Sequence, residues 1–232
     1  MKYLFALSFL LTLSITTFCQ NSDLTYLVRK PKSTTTNTPL LLLMHGYGSN
    51  EKDLFSFSKN IPDEYLVVSI QAPYTLGNDR YAWFRMDFSN GKRTRNLDDV
   101  AKSSDMIIKF IDELREDYEF DKNHVILSGF SQGGIMSYTV ALTHPDRVYG
   151  IGVLSGFILD NTEITDSKSI QDLKVFISHG TQDPVISIAE AQQSKKKIES
   201  LGITPEYHEY QAKHEINQAM FTDYLKWLQQ VK

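Results

Sequence analysis

The chain has 232 residues, of which 41% are hydrophobic, 12% aromatic and 22% charged. That is enough apolar material for a packed core and excludes a disordered, collagen-like or low-complexity polypeptide. A net charge of −4 argues against a surface built to coat nucleic acid, and one cysteine excludes a disulfide scaffold or a zinc site of several thiolates.

Residues 1–19 differ from everything after them. Lys2 is followed by an almost wholly apolar run from Tyr3 to Phe18, and polarity returns at Asn21, Ser22 and Asp23. The run is short for a membrane span, which needs roughly 20 residues, and it reads as a secretory leader cut after Cys19. The expectation is an exported protein, periplasmic or extracellular, with no stable membrane insertion once the leader is gone. A lipid on Cys19 is the rival, disfavoured by the bulky Phe18 before it.

No repeat or linker divides residues 20–232, so one domain is expected. Short, continuous apolar runs at Leu40–Met44, Tyr65–Ile70, Val125–Ser128, Ile151–Leu154 and Val175–Ser178 suit parallel strands covered on both faces, while Glu206–Tyr210 alternates like an edge strand. Between them, Asp98–Tyr118 carries Val100, Met106, Ile107, Phe110, Ile111 and Leu114 on one helical face. Gln132–Thr143 stops before Pro145, Ile188–Leu201 has Gly202 as a C′ residue, and Ile216–Val231 closes the chain. Such alternation predicts an α/β fold, a mostly parallel central sheet with helices on both faces, whose function collects at the carboxyl ends of the strands.

The reactive side chains fall at those ends. Gly129-Phe130-Ser131-Gln132-Gly133 follows a strand and opens a helix, the context in which a serine is displayed on a sharp turn. A serine hydroxyl needs a base, and the base an orienting carboxylate, in the chain order Ser, acid, His. Asp183 lies just past the strand Val175–Ser178. Of six histidines, only His214 follows the acid and lies in a loop. His45 and His179 each precede a glycine at a strand end and are expected to brace turns. An oxyanion would take the backbone N–H of Gln132 and one from His45-Gly46-Tyr47-Gly48, assigned to Tyr47 with Gly48 as the rival.

The segments H-G-Y-G at 45–48, Q-A-P at 71–73, A-W-F at 82–84, G-F-S-Q-G-G at 129–134, H-G-T-Q-D-P-V at 179–185 and H-E-I at 214–216 resemble the phospholipase/carboxylesterase family of α/β-hydrolases. That family includes bacterial carboxylesterases and eukaryotic acyl-protein thioesterases. The resemblance covers nearly all of residues 38–232. It implies the α/β-hydrolase fold and hydrolysis of carboxylic esters or thioesters without metal or cofactor. Ser131, Asp183 and His214 would be the triad, and Tyr47 and Gln132 the oxyanion donors. Members usually carry Gly before the final histidine, where this chain has Lys213. The leader also sets it apart from cytosolic thioesterases.

Residues 73–96 are too long for an idle connection in a compact domain. Tyr74, Leu76, Tyr81, Trp83, Phe84, Met86 and Phe88 either wall an acyl pocket, with Trp83 and Phe84 as its substrate-binding residues, or simply pack beneath the loop. Arg80, Arg85, Lys92, Arg93 and Arg95 form either a positive rim suited to anionic esters or a solvated face. The expected function is a secreted serine esterase acting on small or medium acyl esters, lysophospholipids among them. The alternatives are a peptidase or polyester depolymerase on the same fold, or a non-catalytic binding module.

Overall fold

The computed structural model describes residues 23–87, 89, 94–165 and 168–232. The leader at 1–19 with Cys19, and Phe88, Lys92 and Arg93, lie outside the described residues. The strands of the main sheet are β1 (Tyr26–Arg29), β2 (Leu40–Met44), β3 (Leu66–Ile70), β4 (Val125–Phe130), β5 (Gly150–Leu154), β6 (Lys174–Gly180) and β7 (Glu206–Tyr210). The helices are α1 (Lys52–Phe55), α2 (Leu97–Asp117), α3 (Gln132–Thr143), α4 (Ile188–Ser200) and α5 (Gln218–Gln230).

The continuous apolar runs are continuous because both faces of the sheet are covered. In β2, Leu40, Leu42 and Met44 join one core with the buried faces of α2, α3 and α4, while Leu41 and Leu43 join a second core with α1 and α5. Successive side chains of a strand point to opposite faces, so a strand between two helical layers needs no polar position. Each such buried leucine contributes about 1.5–3 kcal/mol by leaving water. The helix α3 is buried along almost its whole length. It lacks the amphipathic stripe of a surface helix because α2 covers the side it turns away from the sheet.

The spatial order is β1-β3-β2-β4-β5-β6-β7, parallel except for β1, which runs antiparallel to β3. The chain leaves β2 towards β3 on one side and later returns to place β4 on the other. That reversal opens a crevice at the carboxyl ends of β2 and β4, where open parallel sheets bind ligands. The loop after β2 begins at His45, and Ser131 follows β4 directly.

The expected elements are all present, with ends displaced by a residue or two. The C-terminal helix starts at Gln218 rather than Ile216 because the Asn217 side chain accepts the Met220 N–H at 2.9 Å and caps it. Gly202 follows α4 with φ +83°, the left-handed C′ position. Two features went unforeseen. The edge strand β1 is half-buried beyond Tyr26 and has no continuous apolar run. Within residues 73–96 two short antiparallel pairs form among the described residues, Tyr74–Thr75 with Tyr81–Ala82 and Met86–Asp87 with Thr94–Arg95.

Candidate active site

Ser131 caps α3 with φ 55° and ψ −114°, a conformation that L side chains rarely occupy and that recurs where strain serves function. Two glycines make this turn possible. A Cβ on Gly129 would overlap the Gly133 backbone, and one on Gly133 would overlap the Met44 carbonyl. Helix α3 can therefore start hard against β4 and β2, lifting the Ser131 hydroxyl above the sheet.

Three side chains from separate loops meet there. The Ser131 hydroxyl donates to His214 Nε2 at 2.9 Å, and His214 Nδ1 donates to Asp183 Oδ2 at 2.6 Å. The Asp183 carboxylate is fully buried. Its Oδ1 accepts the backbone N–H groups of Val185 (2.8 Å) and Ile186 (2.9 Å), so the carboxylate is held by its own turn and faces the imidazole. The Phe130 ring lies 4.8 Å from the His214 ring, centroid to centroid, and backs the imidazole on one face.

The loops carrying acid and base are tied through main chain. Gln182 N–H donates to Ala212 O at 3.0 Å and Thr181 N–H to Tyr210 O at 2.7 Å. Gly180 lies so close to the Ala212 and Lys213 carbonyls that any Cβ there would overlap them. Lys213, where the family resemblance leads one to expect Gly, is exposed, and its φ is not among the positive ones, so a side chain is accommodated without strain.

The oxyanion donors can be distinguished. Gly48 N–H already donates to Tyr81 O at 2.8 Å. Among the described residues no acceptor takes the Tyr47 N–H, and Gln132 N–H, in the first turn of α3, has no intrahelical partner. Of the two rivals in the H-G-Y-G segment, Tyr47 has the amide left over.

Buried histidines brace this crevice as expected. His45 Nδ1 donates to Gly46 O at 2.8 Å and its Nε2 accepts Ala72 N–H at 3.0 Å. Burial pushes its pKa down and keeps it neutral. His179 Nε2 donates to Ile186 O at 2.8 Å and lies 3.4 Å from Asp183 Oδ2.

The cavity beside Ser131 measures about 260 Å³. Its walls are Phe84, Met86, Ile135, Phe157, Val185 and Ile186, with Tyr47, Gln132, His214 and Arg95 completing it. Trp83 corrects the expectation. It is fully buried behind the cavity and not part of its wall, because its indole N–H donates to His45 O at 2.9 Å and so turns inward to hold the loop after β2. Phe84 does reach the wall. The larger surprise is the side chain of Gln132, expected to matter through its backbone alone. Its Oε1 accepts Trp83 N–H at 2.7 Å and its Nε2 donates to Phe84 O at 2.8 Å, clamping the 73–96 segment to the start of α3. A pairing 49 residues apart leaves no local trace in the sequence.

A second clamp holds the other end of that segment. Arg85 meets Asp99 in a two-pronged pair, Nε to Oδ2 at 2.8 Å and a terminal nitrogen to Oδ1 at 2.9 Å, and Arg85 N–H also donates to Oδ2 at 3.0 Å. The guanidinium holds the Asp99 carboxyl below its ordinary pKa. Among the described residues no group of three or more His, Cys, Asp or Glu is arranged to hold a metal ion.

Comparison with known proteins agrees with this architecture. The profile of the phospholipase/carboxylesterase family matches residues 27–232. The chain is 26% identical to acyl-protein thioesterase 1 of Candida albicans over 223 residues, covering 88% of this chain and 96% of that protein. Among solved structures, the Bacillus cereus carboxylesterase superposes with a TM-score of 0.80 at 23% identity, covering 91% of this chain and 96% of that one. Esterase PE8 superposes with a TM-score of 0.75 at 25% identity, covering 88% and 97%.

Proposed function

Since the chain belongs to the phospholipase/carboxylesterase family of α/β-hydrolases, a family of serine hydrolases, we propose that it is a secreted serine esterase that cleaves small or medium acyl esters, lysophospholipids included. The observation that carries this reading is the unbroken relay Ser131–His214–Asp183 at the mouth of a mainly apolar cavity. His214 takes the Ser131 proton as Oγ attacks the ester carbonyl, then returns it to the departing alcohol. Asp183 fixes the Nδ1–H tautomer and stabilises the imidazolium that forms. The Tyr47 and Gln132 amides receive the oxyanion, and water repeats the cycle on the acyl-enzyme. Thioesters, the bond in the names of several relatives, pass through the same intermediate. The leader supports substrates outside the cytoplasm.

A fluorophosphonate probe tests the assignment. Wild type is expected to form a covalent adduct at Ser131 and to hydrolyse p-nitrophenyl butyrate. Ser131→Ala is expected to lose both, with turnover down at least about 10³-fold. An unlabelled wild type, or a Ser131→Ala variant with undiminished turnover, would refute the role of this serine.

A further inference from the structure

Two cavities meet at a pair of side chains. The catalytic cavity ends at Arg95 and Phe157, and both residues also line a second cavity of about 370 Å³ that continues along α4 past Glu190, Ser194 and Lys197. The Arg95 guanidinium sits 4.8 Å above the centre of the Phe157 ring, and the residue's backbone is fixed by pairing with Met86.

The described basic residues of the 73–96 segment, Arg80, Arg85 and Arg95, separate by what they touch. Arg85 is spent on Asp99. Arg80 donates to Gly48 O at 3.4 Å. Arg95 alone of these lines the catalytic cavity, and among the described residues no carboxylate forms a salt bridge with it (N···O within 4.0 Å). Two carboxylates share the outer cavity with Arg95 without pairing to it: Glu190 is held by the Ser187 N–H and hydroxyl as a helix cap, and Asp160 does not line the catalytic cavity. A guanidinium against apolar walls carries a desolvation cost that a matching anion offsets, and its planar fork suits a carboxylate held by two parallel hydrogen bonds.

We propose that Arg95 is a specificity-determining residue that receives a carboxylate at the far end of the substrate, so that the preferred esters are anionic ones. This rests on the esterase reading above. The carboxylate belongs either to the acyl chain or to the alcohol, and the geometry of recognition is the same for both.

The test compares kcat/KM for matched esters. On the acyl side, monomethyl succinate, adipate and suberate are set against methyl butyrate, hexanoate and octanoate. On the alcohol side, the butyryl ester of 3-hydroxypropionate is set against propyl butyrate. Wild type is expected to prefer the anionic member of at least one pair by about tenfold or more, the worth of one charge-assisted hydrogen bond. In Arg95→Met, which keeps the stem over Phe157, that ratio is expected to fall towards one. Added salt should lower wild-type turnover of the favoured anionic ester more than that of its neutral match, a readout that needs no variant. A wild-type ratio near one for every pair, or a preference that survives in Arg95→Met, overturns the proposal while leaving the esterase intact. Failure of wild type both to cleave any of these esters and to take the fluorophosphonate would overturn both readings together, whereas a labelled wild type that cleaves none of them overturns this proposal alone.

Discussion

Gln132 shows how one residue can serve a site twice. Its backbone N–H is the proposed oxyanion donor, while its carboxamide bridges the backbones of Trp83 and Phe84. Gln132→Leu keeps the volume and the backbone N–H but strands a buried donor and a buried acceptor, each costing about 1–3 kcal/mol. The melting temperature is expected to drop by several degrees, at about 2–4 °C per kcal/mol for a chain of this size. KM should rise more than kcat falls, because the wall carrying Phe84 loosens while the oxyanion donor stays. Scanning calorimetry and steady-state kinetics check this, and an unchanged melting temperature would mean that the clamp holds nothing. At this scale the triad was legible because each member sits after a strand in a fixed chain order. The burial of Trp83 was not, since an aromatic residue in a long loop looks the same in sequence whether it faces a ligand or the core.

Among the elements, the start of α2 bears most directly on the site. Asn96 caps it by accepting Asp99 N–H at 3.1 Å, and Asp99 in turn holds Arg85 at the base of the cavity wall. Because the folded state lowers the Asp99 pKa, the carboxylate binds its proton more weakly there than in the unfolded chain. The stabilisation is therefore fully present above the unfolded value of about 3.9 and is lost as pH falls through the lower, folded value. Asp99→Asn is expected to melt several degrees below wild type at pH 7, with the gap narrowing below about pH 4. Melting curves across that range check it, and a gap independent of pH would remove the charge from the explanation. The core strands and long helices were readable because burial on two faces or one stripe prints a period on the sequence. The four-residue β1 and the two short antiparallel pairs print none, since they are held by pairing with distant backbone: Tyr26 opposite Ile70, and Tyr81 N–H on Ser49 O.

For the molecule as a whole, the proposed leader and the single thiol lead to one expectation. If residues 1–19 direct export and are removed, the mature protein begins at Gln20 and contains no cysteine. Intact-mass analysis of material recovered outside the cytoplasm is expected to give that N-terminus, with a melting temperature indifferent to reductant. A lipidated Cys19, or a chain retained intact in the cytoplasm, would contradict it. Stability then rests on the two cores on either side of the sheet, a double burial that the continuous apolar run of β2 made apparent in the sequence. The main-chain ties between the turn after β6 and the segment before His214 have a consequence of their own. Because Gly180 packs against the carbonyls of residues 212 and 213, and Thr181 and Gln182 donate to the main chain of residues 210 and 212, the segment leading to His214 is placed through its backbone, and the outward substituent at position 213 is exempt from that task. Evolution or an engineer can redecorate this lip of the enzyme, as the lysine there illustrates, and so retune which molecules approach without disturbing proton transfer.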